Sequence, residues 1–115
     1  MATHKDFRTA WVLLLLRDGA SYGYELRREL GVRSLQLDPA VMYRTLREME
    51  HDDLIASRWM RSEAGPQRRV YEITQAGHGE LRRVVATIRD ARDAHTAFLA
   101  AFANAEASEP EAQAQ

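Results

Sequence analysis

The sequence predicts a mainly α fold with one small β-hairpin, in the order helix, helix, helix, hairpin, long helix. Three observations predict it. Apolar residues recur at helical spacing in the second, third and final segments. Two short segments of alternating character flank a Gly-Pro turn signal. Side chains able to cap helices (Ser21, Asp38 and Thr74) stand ahead of three of the helical patterns.

The first helix is expected over Phe7 to Arg17, where FRTAWVLLLLR is nearly all apolar and should be buried on most of its circumference. Asp18-Gly19 ends it. Ser21 is the expected N-cap of a second helix, YGYELRREL, whose Leu26 and Leu30 share a face, and Gly31 is its expected stop. In the third helix Asp38 can cap, and Pro39 stands at the first helical position, where its missing N–H costs nothing. Met42, Leu46 and Met49 make the buried stripe; Tyr43, Arg44 and Arg47 fall outside it and should be exposed. Glu48, Glu50, Asp52 and Asp53 crowd the carboxyl end, where the helix dipole disfavours anions. Helix stability does not explain that crowding.

The hairpin is expected from Leu54–Arg61 and Val70–Ile73, joined by a polar return limb in which Gly65-Pro66 makes the turn. Thr74 caps a final helix from about Gln75 towards Asn104. Along it Leu81, Ile88, His95 and Phe102 recur by sevens, and Val84, Val85, Phe98 and Leu99 fill the intervals. That seam predicts a homodimer. The competing reading packs it on Trp11 and Leu15 of the first helix; an inward amino-terminal half and a crossing remainder satisfy both.

Formal net charge over the 115 residues is −1, and this hides an asymmetry. Residues 105–115 carry three glutamates and no cation, in a composition that suits a disordered acidic tail; without those three charges the rest stands at +2. The expected organisation is therefore residues 1–74 as a globular domain, 75–104 as a dimerisation helix and 105–115 as tail. With no cysteine, disulfides and thiolate metal sites are excluded. The four histidines are scattered, no nucleophile adjoins a base in a recognisable motif, and neither a phosphate loop nor a calcium loop is present, so no catalysis, metal or cofactor is expected. The apolar run near the start is too short for a membrane span and lacks a cleavage site after it, which predicts a cytoplasmic chain.

Three short helices followed by a hairpin is the order of a winged helix-turn-helix. In that geometry the third helix enters the major groove by its amino-terminal half, and the hairpin, or wing, lies over the adjacent backbone. Arg44 and Arg47 can reach guanine edges or phosphates, Tyr43 can reach a phosphate or a sugar, and Arg68 and Arg69 suit the wing. Alternation sends those two arginines to opposite faces. Each arginine alone would be ordinary solvated surface; the joint arrangement favours duplex DNA. A protein-interaction module with weak or no DNA binding is the alternative.

The segments SYGYELRREL, DPAVMYRTLREMEHDDLIASRW and GPQRRVYEITQAGHGEL together resemble the PadR family of bacterial transcription regulators. The most specific parts are Gly23-Tyr24-Glu25-Leu26, the Tyr-x-x-Leu-x-x-Met-Glu of the third helix, and the Arg-x-Tyr-x-Ile-Thr-x-x-Gly that ends the hairpin. The resemblance implies a dimeric winged-helix repressor acting on a palindromic operator, with a single long dimerisation helix. It adds Tyr22, Tyr24, Ala40, Met42 and Gln67 to the expected DNA contacts. It also implies a small aromatic effector held between the first and last helices, here at Ala10, Trp11, Ile88 and Arg92. Two departures stand out. Ala40 and Val41 replace the usual Gly-Ser, removing a hydroxyl that could meet a phosphate, and Gln67 to Val70 leave the wing less basic.

Overall fold

The computed structural model describes residues 4–62 and 65–109. Its elements are α1 (His4–Arg17), β1 (Ser21–Tyr22), α2 (Gly23–Val32), α3 (Pro39–His51), β2 (Ile55–Ser62), β3 (Gly65–Ile73) and α4 (Gln75–Ala107). The strands form one antiparallel sheet in the order β1-β3-β2. The expected helices and hairpin are present.

Burial follows the helical periodicity. Val12, Leu13 and Leu16 of α1, Leu26 and Leu30 of α2, and Met42, Leu46 and Met49 of α3 meet Ile55 and Tyr71 of the sheet in one core. Thr45 is buried among them, with its hydroxyl satisfied by the carbonyl of Val41 at 2.8 Å. Asp38 caps α3 by accepting from the Val41 N–H at 2.9 Å, and the Thr74 hydroxyl accepts from the Gly77 N–H at 3.0 Å to start α4. Between α2 and α3 the Arg27 guanidinium donates to the Leu37 carbonyl at 2.7 Å and holds the turn.

Several expectations need correction. Ser21 does not cap α2. Its backbone pairs with Tyr71 as part of β1, its hydroxyl donates to Glu25 one turn into the helix, and Tyr22 takes the cap position without a side-chain bond. Nor does Gly31 end α2, because the left-handed residue after the helix is Ser34, at φ 66°. The Leu35 N–H then bonds to the Leu30 carbonyl and the Ser34 N–H to the Gly31 carbonyl, which is the Schellman closure. The same closure ends α3, with Asp53 at φ 59° and Leu54 bonding back to Met49. Aspartate tolerates that conformation better than most residues, which accounts for one of the crowded acids. Gly65 and Pro66 belong to β3, with Gly65 opposite Ser62 across a register shift. A proline lacking its N–H is accommodated at such an irregularity, and the reversal itself lies outside the described residues.

Helix α1 is less enclosed than expected, since Phe7 and Leu14 remain exposed on the side facing away from the core. Helix α4 is about 50 Å long from its 33 residues. Its first turns pack on α1 through Leu81 and Val84, both buried. Beyond Val85 and the half-buried Ile88 it projects away from the other described elements, and the molecule is 78 Å long against 26 × 21 Å across. It continues to Ala107 rather than Asn104, because Ala-Glu-Ala sustains a helix; residues 105–107 are thus helix rather than tail, and residues 110–115 lie outside the described ones. Among the described residues no helix is long and apolar enough to cross a membrane.

Candidate nucleic-acid interface

The capped start of α3 points Ala40, Tyr43, Arg44 and Arg47 away from the core, all exposed. Arg44 and Arg47 make no hydrogen bond or ion pair among the described residues, whereas Arg33, Arg58, Arg83 and Arg92 each meet a carboxylate. Met42 is corrected: its side chain is fully buried in the core, so it cannot touch a ligand on this face. The helical period that exposes Tyr43 turns Met42 inward. Tyr43 lies over the start of α2, and Gly23 permits it, since a Cβ there would stand 3.0 Å from the Tyr43 ring.

On the wing the two adjacent arginines are held differently. Arg68 lies over Tyr22 and Tyr24, whose rings stack 5.6 Å apart at 8°, and it donates to the Tyr24 hydroxyl at 3.0 Å. Arg69 lies over the Trp59 ring at 5.1 Å, and its Nε donates to Ser57 Oγ at 2.9 Å. The Ser57 hydroxyl donates in turn to the Glu50 carboxylate at 2.7 Å. Gln67 is exposed near the wing's start.

These groups enclose an open concavity of about 760 Å³ between α3, the start of α2 and the wing. Tyr22, Tyr24, Tyr43 and Tyr71 line it with Trp59, Arg47, Arg68 and Arg69. Burial pushes the Tyr71 hydroxyl's pKa up, with Arg69 nearby pulling the other way. The phenol is therefore neutral, and the charge of the surface comes from guanidinium groups. Cations interleaved with flat rings suit a polyanion whose sugars and bases offer apolar faces. Trp59, 59 % exposed, is an addition to the expected site, as is Tyr71; Ser57 and Glu50 do not line the concavity and connect to it only through Arg69. The only sequence signal for Trp59 is its place two residues from Ser57 on an alternating strand.

A second concavity, about 670 Å³, runs between α1 and α4. Of the four expected effector positions Ala10, Trp11 and Ile88 line it. Arg92 does not; its guanidinium pairs with Asp93 at 3.3 Å, one turn beyond. The cations in the groove are Arg17, Arg82 and Arg89, beside Phe7, Leu14 and His78. One face of Trp11 is covered by Arg33, 5.3 Å from the ring centroid. Of the expected seam, Leu81 and Val84 are corrected to core residues within the chain, because this part of α4 already rests on α1. Val85 packs beside them and Ile88 is half-buried, while His95, Phe98, Leu99 and Phe102 lie open.

Residues 12–83 match the transcriptional regulator PadR-like family. Solved structures agree with that match. A PadR family regulator from Clostridium difficile R20291 superposes with a TM-score of 0.74 at 26% identity, covering 81% of this chain and 98% of its own. One from Eggerthella lenta gives 0.72 at 28% identity, covering 82% and 86%. Bacillus subtilis PadR, solved in complex with operator DNA, gives 0.61 at 21% identity over 69% of this chain and 46% of its own, a likeness of fold. No curated protein matches the chain.

Proposed function

The chain belongs to the PadR-like family of transcriptional regulators, and on that premise we propose that it is a sequence-specific, dimeric DNA-binding repressor released by a small-molecule effector. The observation that carries the reading is the free state of Arg44 and Arg47 on the outward face of a capped helix, with a cationic wing beside it. A guanidinium without an internal carboxylate keeps its full affinity for phosphate or a guanine edge. Tyr43 on α3 and Tyr22 and Tyr24 ahead of it supply hydroxyls and flat faces for the sugar-phosphate backbone.

Dimerisation rests on the open Phe98, Leu99 and Phe102, which project on a bare helix. A second copy packed on them would bury apolar surface and present two α3 helices to successive major grooves, about 34 Å apart on a palindromic site. The groove between α1 and α4 then lies next to the joint. A flat, largely apolar molecule with an anionic group fits its combination of Trp11 and Phe7 with Arg82 and Arg89. By preferring one spacing of the paired helices it would shift the population towards or away from the DNA-competent dimer, in the cytoplasm where the DNA lies.

The test is footprinting on duplexes selected from a random pool, followed by substitution. Arg44→Ala or Arg47→Ala should weaken binding by about 1–3 kcal/mol where the substitution removes a bidentate pairing to a base. Binding that is the same for both variants and wild type at matched salt removes the groove assignment, and absence of any selected duplex favours a protein-binding module instead.

A further inference from the structure

Glu50, Ser57 and Arg69 come from three different elements, and their side chains are joined in sequence. Arg69 Nε on β3 donates to Ser57 Oγ on β2, and the Ser57 hydroxyl donates its one hydrogen to Glu50 on α3. A hydroxyl has one donor and spare acceptor capacity, so both of its bonds have the right polarity. Glu50 sits in the last turn of α3, where a carboxylate is unfavourable for the helix itself. The Ser57 hydroxyl, bonded in turn to Arg69, gives this carboxylate a partner that its own helix does not. The guanidinium of Arg69 also rests on Trp59, which stands directly opposite it in the β2–β3 register.

We infer that Arg69 is a positioning residue, the end of a relay through Ser57 to Glu50 that fixes the wing's angle to the recognition helix. The inference rests on the DNA-binding reading above. Arg69 is unlike Arg44 and Arg47. Its Nε is engaged, so the edge formed by Nε and one terminal nitrogen is not open for a bidentate phosphate contact, and one of its faces is covered by indole. What it holds is the hairpin that carries Trp59 and Arg68. Groove contacts from α3 and backbone contacts from the wing must form at once on one duplex, so the angle between them decides whether the two sets add. Loosening the relay lets the wing swing and lowers affinity without removing a phosphate contact.

The experiment uses the full chain and the strongest duplex it selects from a random pool, with affinity measured across a salt series. Ser57→Ala and Glu50→Ala should each lower affinity about 2- to 10-fold, as expected for one hydrogen bond. The slope of log affinity on log salt should stay at its wild-type value, and the double substitution should cost no more than either single one. Glu50→Gln keeps an acceptor for the serine and should bind close to wild type. Arg69→Met, which retains an apolar stem over Trp59, should behave as Ser57→Ala does. The inference is overturned if Arg69→Met reduces the salt slope by about 0.9, the equivalent of one phosphate, while Ser57→Ala and Glu50→Ala bind normally. A wild-type chain that selects no duplex removes the DNA-binding reading, and this inference goes with it; Arg44→Ala, which leaves the relay intact, separates the two failures.

Discussion

Among the described glycines, Gly77 has the least room for a side chain. A Cβ there would stand 2.1 Å from the Leu54 carbonyl oxygen and 2.7 Å from Ile73 Cγ1. The carbonyl also accepts the Thr74 N–H at 3.1 Å, so backbone on both sides is fixed. In an ordinary helix, alanine in place of glycine gains about 1 kcal/mol. Here overpacking against backbone, typically about 1–3 kcal/mol, outweighs the gain. Gly77→Ala should lower the unfolding free energy by denaturant titration, and an unchanged or higher value would mean that the sheet and α4 do not meet this closely. Other single residues differ in how far the sequence reveals them. Arg44 and Arg47 are legible because they fall off an apolar stripe of fixed period. Met42, given a DNA contact by family likeness, lies on the stripe itself. Ser57, Trp59 and Glu50 are not legible as site residues, since their roles depend on partners up to 12 positions away and on the sheet register. Arg92 stands one turn too far along α4 for the groove, and its neighbour Asp93 takes the charge.

At the scale of elements, periodicity and caps reveal the helices, and the errors gather at their ends. Strand β1 is two residues long, too short for alternation to register, and it exists because β3 offers it an edge. Both Schellman closures are hidden in the sequence because the left-handed position is filled by Ser34 or Asp53 instead of glycine. This makes a prediction. A non-glycine residue in that conformation costs roughly 1–2 kcal/mol, and glycine gives back about 0.4–1 kcal/mol through the entropy of its unfolded chain. Ser34→Gly should therefore raise stability by about 0.5–1 kcal/mol, read as a higher thermal midpoint. A lower midpoint would show that the serine side chain contributes something its backbone strain does not offset. The hairpin is legible from its alternating limbs, but its turn is not. Gly65-Pro66 is the usual punctuation for a reversal, yet here the pair opens a strand where the register shifts.

The whole molecule is an elongated body whose last helix outruns its own core. Single chains rarely leave three large apolar residues open on one projecting helix, and Phe98, Leu99 and Phe102 are 69, 64 and 56 % exposed. The seam is legible as a heptad pattern, yet the pattern cannot say where intramolecular packing stops, which the structure puts after Val84 and Val85. The paired substitution Phe98→Glu and Phe102→Glu lies outside that core. It should leave the fold intact and convert a species of twice the chain mass into one of single mass by light scattering. A wild-type chain of single mass would remove the dimer and the palindrome with it. The central claim remains the pair of unpartnered guanidiniums at the front of α3, and the salt dependence of duplex affinity tests it most directly. We expect a steep linear fall of log affinity against log salt for wild type, made shallower by about 0.9 for each phosphate that Arg44→Ala or Arg47→Ala leaves unneutralised. A nearly flat wild-type line, or a steep one unchanged by both substitutions, would contradict the account.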